Sequence, residues 1–387
     1  MSENVKIGVV TTHPIQYQVP LFREIESRDK VELTVFYGRI PDAARQGEGF
    51  GTAFAWDLPL LQGYSWRVLE EASDAGETQN TFPGLAHAYR QVDVMLVHGW
   101  QSTYMRKAWW KGLWAGVPLL VRGDSNSLKP RAWPVRQLHR LYLRPFTGYL
   151  YVGESNRQFY RNAGVSPDAL YFAPRCVENR RFDEDWMQLK GTRAEVRAEL
   201  GIAESAVCFL FCGKFVEKKH PTAVVEAFAR LWRNMDRSLH LLMVGDGELR
   251  PKAETRVPDG APVTFTGFLN QTEIGEAYAA ADVLVLPSDY GETWGLVVNE
   301  AMIFECPAIV SDRVGCGPDL VRDGETGHTV PFGDTEALAD TMAQTAQHPE
   351  RIPEMGAAAR ELVLSEYSIE RAADGIVEAV RDAYEHA

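Results

Sequence analysis

Short apolar runs recur along this chain, and almost every one is bounded by turn residues. In the front half VKIGVVTT (5–12), VELTVFY (31–37), VDVMLVHG (92–99), VPLLVRG (117–123) and GYLYVG (148–153) predict buried strands. Helix-like stretches lie between them, one from Tyr104 to Trp114 and one beginning near Val19. Residues 40–90 are rich in Gly and Pro and predict irregular structure. A boundary falls near APRCVENRRFDEDW (173–186), and then the alternation restarts. VCFLFC, SLHLLMVG, PVTFTG, ADVLVLPS and CPAIVSD supply further strands. His220-Pro221 opens a helix with Pro at its first position, where the missing N–H costs nothing. Val224, Val225, Phe228, Leu231 and Trp232 give that helix one apolar face. Two strand–helix arrays of similar size predict two doubly wound parallel sheets, each with helices on both faces. Ligands bind beyond the carboxyl ends of such strands, which predicts a site in a cleft between two domains.

A length of 387 residues suits two domains. No apolar run reaches 18 residues, so no transmembrane helix is expected. The start, MSENVKIGVV, lacks a basic region followed by an apolar signal core, and the expectation is a cytoplasmic protein. Cys176, Cys208, Cys212, Cys306 and Cys316 are scattered, without zinc spacing, and read as reduced thiols. A net charge of −13 argues against general nucleic-acid binding. That charge is uneven. Residues 101–150 hold nine Lys or Arg and a single acid, Asp124, with Trp109, Trp110, Trp114, Trp133, Tyr142 and Phe146 among them. The stretch 106–144 reads either as a solvated helix face over buried tryptophans or as a peripheral contact with the cytoplasmic membrane face or a lipid-linked acceptor.

The densest chemical signal is GETWGLVVNEAM (291–302), which follows the strand of ADVLVLPS. Glu292 and Glu300 stand eight positions apart, about 80° apart on a helix, so they cannot share one helix face. Glu292 is expected in the loop and Glu300 inside the helix, packed by Val297, Val298, Ala301 and Met302. Backbone N–H groups at a helix start attract phosphate, and carboxylates accept hydrogen bonds from sugar hydroxyls. Together they suggest a nucleotide-sugar site. Lys214 and Lys219 follow the strand VCFLFC and could neutralise a departing diphosphate. No Asp-x-Asp triplet stands at a strand end to hold a divalent ion, so no metal and no cofactor is expected. Neither a P-loop signature nor a nucleophile elbow is present.

This segment resembles the E-x7-E motif of family 4 glycosyltransferases, retaining enzymes of the GT-B fold. CGKFVEKKHPTAVVEAFARL (212–231) is similar to that family's basic diphosphate loop and following helix. VGDGELR (244–250), FTGFLNQTEI (265–274), VGCGPDLVRDGETGHTVPFGD (314–334) and the tail from Met355 follow the family's order. TTHPIQYQVPLFREI (11–25) and DVMLVHGW (93–100) add a looser likeness at the front. The resemblance implies an α/β GT-B protein: two doubly wound Rossmann-like domains facing a central cleft. It implies an acceptor-side domain at 1–180, a nucleotide-sugar domain at 181–366 and a final helix, 367–387, packing back on the first domain.

The same resemblance assigns candidate residues. Glu300 would hold ribose hydroxyls and Glu292 donor-sugar hydroxyls, with Thr293, Trp294, Gly295 and Leu296 offering backbone N–H groups to the diphosphate. Trp294 stands where Phe is usual and reads as a packing residue. Gly267, Phe268 and Leu269 would meet the nucleobase through backbone. His98 would face the donor sugar and joins Lys214, Lys219 and Glu292 as a catalytic candidate. His13, Gln16 and Asp124 are acceptor-side candidates, Asp124 with the alternative of simply pairing with an Arg. Family members often have Arg where Lys214 stands, Gly where His220 stands and a glycine pair where THPIQYQ runs. The implied function is metal-independent, retaining transfer of a hexose-type sugar from a nucleoside diphosphate, UDP or GDP, to a hydroxyl of a carbohydrate, lipid-linked or small-molecule acceptor. The alternatives are a sugar phosphorylase or a nucleotide-sugar epimerase on this fold, or a non-catalytic scaffold.

Overall fold

The computed structural model describes residues 4–42, 46, 54–69, 82–100, 102–235 and 238–387. The chain divides into two compact units. The first draws on residues 1–42, 58–177 and 368–387. Its strands are β1 (Val5–Thr11), β2 (Val31–Tyr37), β3 (Ser65–Val68), β4 (Val94–His98), β5 (Leu119–Arg122), β6 (Gly148–Tyr151) and β7 (Leu170–Phe172). All pair in parallel, in the order β3-β2-β1-β4-β5-β6-β7. Helices α1 (Val19–Glu26), α2 (Phe82–Tyr89), α3 (Thr103–Gly112), α4 (Trp133–Leu143) and α5 (Glu154–Asn162) connect them.

Both faces of the central strands are buried, which is why they read as continuous apolar runs. Ile7, Val9, Leu33, Val35 and Leu96 face one core, closed by Phe22 and Ile25 of α1 and by Ala372, Ile376 and Val380 of the helix Ile369–Glu385. Val10, Phe36, Met95, Val97 and Val121 face the other, with Leu85, Tyr104, Met105 and Tyr160. Each such side chain stabilises by about 1.5–3 kcal/mol relative to exposure. In the C-terminal helix, Gly375 sits so close to the Phe172 carbonyl that a β-carbon there would overlap it.

The second unit comprises residues 43–57 and 178–367. After α6 (Asn179–Leu189) and α7 (Arg193–Glu199) come β8 (Val207–Cys212), α8 (Pro221–Asn234), β9 (Leu239–Val244), α9 (Arg250–Glu254), β10 (Val263–Gly267), α10 (Ile274–Ala280) and β11 (Val283–Leu286). Then follow α11 (Leu296–Ile303), β12 (Ala308–Ser311), α12 (Gly317–Leu320), β13 (Gly327–Val330), α13 (Thr335–Gln347) and α14 (Ile352–Glu366). The sheet is again all parallel, ordered β10-β9-β8-β11-β12-β13. Every residue of β8, β9, β11 and β12 is buried.

Four elements differ from the sequence reading. β3 and α2 form inside 40–90, where irregular structure was expected; 43–45, 47–53 and 70–81 lie outside the described residues. β3 is an edge strand with half-buried and exposed positions, so it carries no apolar run. β7 and β13 are also edges, three and four residues long. Residues 54–57 pack on the second unit: the Phe54 ring lies 4.2 Å from that of Phe268, and Asn270 Nδ2 donates to the Ala55 carbonyl at 3.0 Å. Among the described residues no helix is long and apolar enough to cross a membrane, and all five cysteines are buried and free.

Candidate active site

Strand order reverses beside the first strand of each sheet, between β1 and β4 and between β8 and β11. At such a point the flanking connections leave in opposite directions and open a crevice at the strands' carboxyl ends. Lys214, Lys219 and the candidates from Glu292 to Glu300 lie at the second of these points and His98 at the first, whereas Gly267, Phe268 and Leu269 follow the edge strand β10.

In the second unit β8 runs out through Gly213 and Lys214 into a short turn, Glu217–Lys219. His220 takes a left-handed conformation (φ 51°) and lets Pro221 start α8 at once. Its ring meets the Phe332 edge at 4.9 Å. Across the switch point, β11 runs into Pro287-Ser288 and the Asp289–Gly295 loop. Asp289 N donates to the Lys218 carbonyl across the two connections (2.9 Å), and Glu292 N donates to the Asp289 carbonyl within the second (3.0 Å). The result is an ion pair between Lys219 Nζ and Glu292 Oε2, with both side chains about nine-tenths buried.

Gly295 caps α11 at φ 103°, which only glycine adopts without strain. Glu300 lies in the second turn of that helix, and its Oε2 accepts from the Tyr278 hydroxyl of α10 at 2.5 Å. Burial raises the Glu300 carboxyl pKa, while the Tyr278 hydrogen bond and the charges of Arg181 and Lys219 oppose that rise. Loop and helix thus bring both carboxylates to Lys219 without a shared helix face. Val298, Ala301 and Met302 pack α11 inward as expected, whereas Val297 is only half-buried and Asn299 and Ile303 complete the face. Trp294 is buried: its Nε1 donates to Asn299 Oδ1 (2.8 Å) and its ring packs 5.9 Å from Tyr367. Thr293 and Leu296 flank it, half-buried.

The ends of β8, β9 and β10 are held together by glycine. Gly245 N donates to the Gly267 carbonyl (2.8 Å) and Gly213 N to the Val244 carbonyl (3.0 Å). A β-carbon on Gly245 would run into Gly213 backbone. Phe268 and Leu269 continue from Gly267, half-buried, with Phe54 covering the Phe268 ring.

In the first unit His98 ends β4 opposite Arg122 of β5. Its Nε2 is shielded from solvent with no hydrogen-bond partner. Burial, with the charges of Arg122 and Arg175, lowers its pKa well below 6.5, so the ring is neutral. Arg122 is buried and donates to the Ala173 (3.2 Å) and Pro174 (2.7 Å) carbonyls. Arg175 pairs with Asp124, Nε to Oδ1 at 2.8 Å, and lies over the Tyr17 ring. His98, Asp124, Arg122, Arg175 and Tyr17 therefore form one cluster. His13 stands aside: its Nδ1 bonds Thr12 Oγ1 at 2.9 Å, and burial and Arg39 lower its pKa. Gln16 is half-buried on the same connection. Tyr278, Asp289 and Arg175 were missed by sequence reasoning. Tyr278 carried a signal, a lone hydroxyl in the alanine-rich segment IGEAYAA.

A lysine ion-paired to one carboxylate, with a second close enough to feel its charge, can hold an anion and orient hydroxyls at a switch point. Two such parallel α/β units define the GT-B class. Crystal structures agree: a glycosyltransferase from Rickettsia africae superposes with TM-score 0.73 at 14% identity, covering 100% of both chains. Anabaena HepE in complex with UDP-glucose superposes with TM-score 0.73 at 14% identity, covering 98% of this chain and 100% of that one. Residues 192–362 match the family described as "Glycosyl transferases group 1". It is 32% identical over 195 residues to N-acetyl-alpha-D-glucosaminyl L-malate synthase of Bacillus anthracis, 49% of each chain. It is 32% identical over 242 residues to D-inositol 3-phosphate glycosyltransferase of Saccharomonospora viridis, 58% of this chain and 53% of that one. The chain thus spans about half the length of the curated relatives it matches.

Proposed function

We propose that this chain transfers a hexose-type sugar from a nucleoside diphosphate, UDP or GDP, to an acceptor hydroxyl with retention at the anomeric carbon. The observation that carries this reading is the Lys219–Glu292 pair beside Glu300, all at the β8/β11 switch point. Lys219, with Lys214, neutralises the diphosphate as the glycosidic C–O bond breaks and charge builds on the leaving oxygen. Glu300 accepts the ribose hydroxyls, its carboxylate oriented by Tyr278. Glu292 can accept sugar hydroxyls while paired to Lys219, because a carboxylate has about four lone-pair directions. The Gly267–Leu269 backbone takes the base, and the 293–296 N–H groups the phosphates. His98, being neutral, can donate or accept one hydrogen bond to a sugar hydroxyl without adding charge. His13, Gln16 and Asp124 are the acceptor-side groups. The relative crystallised with UDP-glucose supports UDP as the first donor to try.

The test is a hydrolysis and thermal-shift screen against UDP-, GDP-, ADP- and dTDP-sugars, followed by proton NMR of the product. An α-linked donor should give an α-linked product, and activity should survive EDTA. Inversion at the anomeric carbon, or loss in EDTA rescued by Mn²⁺ or Mg²⁺, would refute the chemistry. Strict dependence on inorganic phosphate, or turnover without acceptor, would indicate a phosphorylase or an epimerase.

A further inference from the structure

The helix α4 is built inside out. Leu143 alone of its residues is buried, while Trp133, Val135, Leu138 and Leu141 are exposed, three of them by more than 60%. Trp110 and Trp114 near the end of α3 are exposed as well. Six of the ten large apolar side chains exposed among the described residues thus fall between 110 and 141. The two helices are joined: Trp109 Nε1 donates to the Tyr142 carbonyl (2.9 Å), and the two rings stack at 4.6 Å.

Charge follows the same surface. Arg136, Arg140 and the C-capping Arg144 recur every fourth residue and form a cationic strip along α4 and its end. Leu138 and Leu141, about 60° apart on the helix, form an apolar strip beside it. Lys129, Arg131, Arg136 and His139 line an adjoining cavity of about 300 Å³ with Phe159 in its wall. His139 Nδ1 is shielded there without a hydrogen-bond partner. Apolar side chains ringed by cations match a bilayer interface, where the apolar groups enter the acyl boundary and the cations meet lipid phosphate. A chain of net charge −13 would otherwise be repelled by an anionic surface.

We propose that α4, with Trp110 and Trp114 of the neighbouring segment, docks on an anionic lipid bilayer, and that the cavity at Lys129, Arg131 and Arg136 receives a lipid headgroup phosphate. None of these residues belongs to the nucleotide-sugar site, so the inference stands apart from the proposed activity. The test is co-sedimentation of the full chain with phosphatidylcholine vesicles, with and without about 30% phosphatidylglycerol. The anionic vesicles should retain about tenfold more protein at low salt, and the excess should vanish near 0.5 M salt, where the Debye length is about 4 Å. Arg136→Glu with Arg140→Glu should abolish the excess, and Trp133→Ser with Leu138→Ser and Leu141→Ser should lower it about tenfold. Both variants should keep the wild-type melting temperature and donor hydrolysis, which shows that they fold. Equal recovery on neutral and anionic vesicles would overturn the proposal, as would wild-type binding by either variant. So would a concentration-dependent dimer that the triple variant dissolves, because a second copy would then cover this face.

Discussion

Each unit carries a largely buried ion pair beyond the carboxyl ends of its strands, Arg175–Asp124 in the first and Lys219–Glu292 in the second, and the two are built for different ends. In the first, Arg175 meets Asp124 and Tyr17, while its neighbour Arg122 is spent on the Ala173 and Pro174 carbonyls. Those cations pin residues 173–175, where the chain leaves the first unit. In the second, Lys219 and Glu292 sit on short connections that only glycine and a left-handed His220 permit, with Glu300 close enough for the lysine charge to be felt. One pair sits beside an arginine that answers protein carbonyls; the other stands at the β8/β11 switch point. Substitutions at the first should therefore act on stability and at the second on turnover.

The largest effect is expected at Lys219. On the proposed function its charge stabilises the leaving diphosphate, and removing one preorganised donor of this kind costs about 10²–10³ in rate. Lys219→Ala should lower kcat/KM by about 10³-fold and move the melting temperature little. An unchanged rate with a collapsed melting temperature would make the pair a structural lock and erase the contrast.

Glu300→Ala comes next. Hydrogen bonds to a charged group contribute about 1.5–3 kcal/mol each, so kcat/KM should fall roughly 10- to 10³-fold. Because burial raises the Glu300 pKa, its ionised form is held at a cost, and the variant should keep its stability. Wild-type donor affinity in this variant would sink the ribose assignment.

A third effect sharpens the comparison through pH. His240 of β9 bonds Thr264 Oγ1 at 2.9 Å, and burial, aided by Arg197, lowers its pKa to about 4. Below about pH 6.5 the unfolded chain binds this proton and the folded chain does not, so stability is lost as pH falls toward 4. The loss reaches about 3 kcal/mol at pH 4. His240→Gln should flatten melting temperature against pH in that window. An identical slope in wild type and variant would remove His240 as its cause.

The sequence made the second site more legible than the first, and the reason is local chemistry. Lys214, Lys219, Glu292 and Glu300 all lie within a few residues of a strand end or helix start, where apolar runs and Gly or Pro signals are strong. In the first unit Asp124 was visible as the one acid in a basic stretch, but its partner Arg175 is 51 residues away. No periodicity announces a contact at that separation. The edges were missed for a related reason: β3, β7 and β13 are half-exposed or short, so no apolar run marks them. In α4 the cations and Trp133 were visible in the sequence, but Leu138 and Leu141 were not singled out, because only the fold shows that they are exposed.

The smallest effect separates the two meanings of Asp124. Its carboxylate is about a quarter exposed and that of its partner guanidinium about a tenth. Breaking a fully buried pair costs about 3–5 kcal/mol because the stranded charge stays desolvated; partial exposure here reduces that to about 2 kcal/mol. Asp124→Asn keeps the shape and removes the charge, so the melting temperature should fall by several degrees. Asp124→Leu combined with Arg175→Met should recover part of the loss, since neither charge is then left alone. If Asp124 only locks Arg175, the rate measured well below the melting temperature should stay near wild type. If it also orients an acceptor hydroxyl, acceptor KM should rise in the single variant and stay raised in the double variant whose stability has returned. That split places Asp124 with the lock or with the chemistry, and so decides whether the contrast between the two ion pairs is complete.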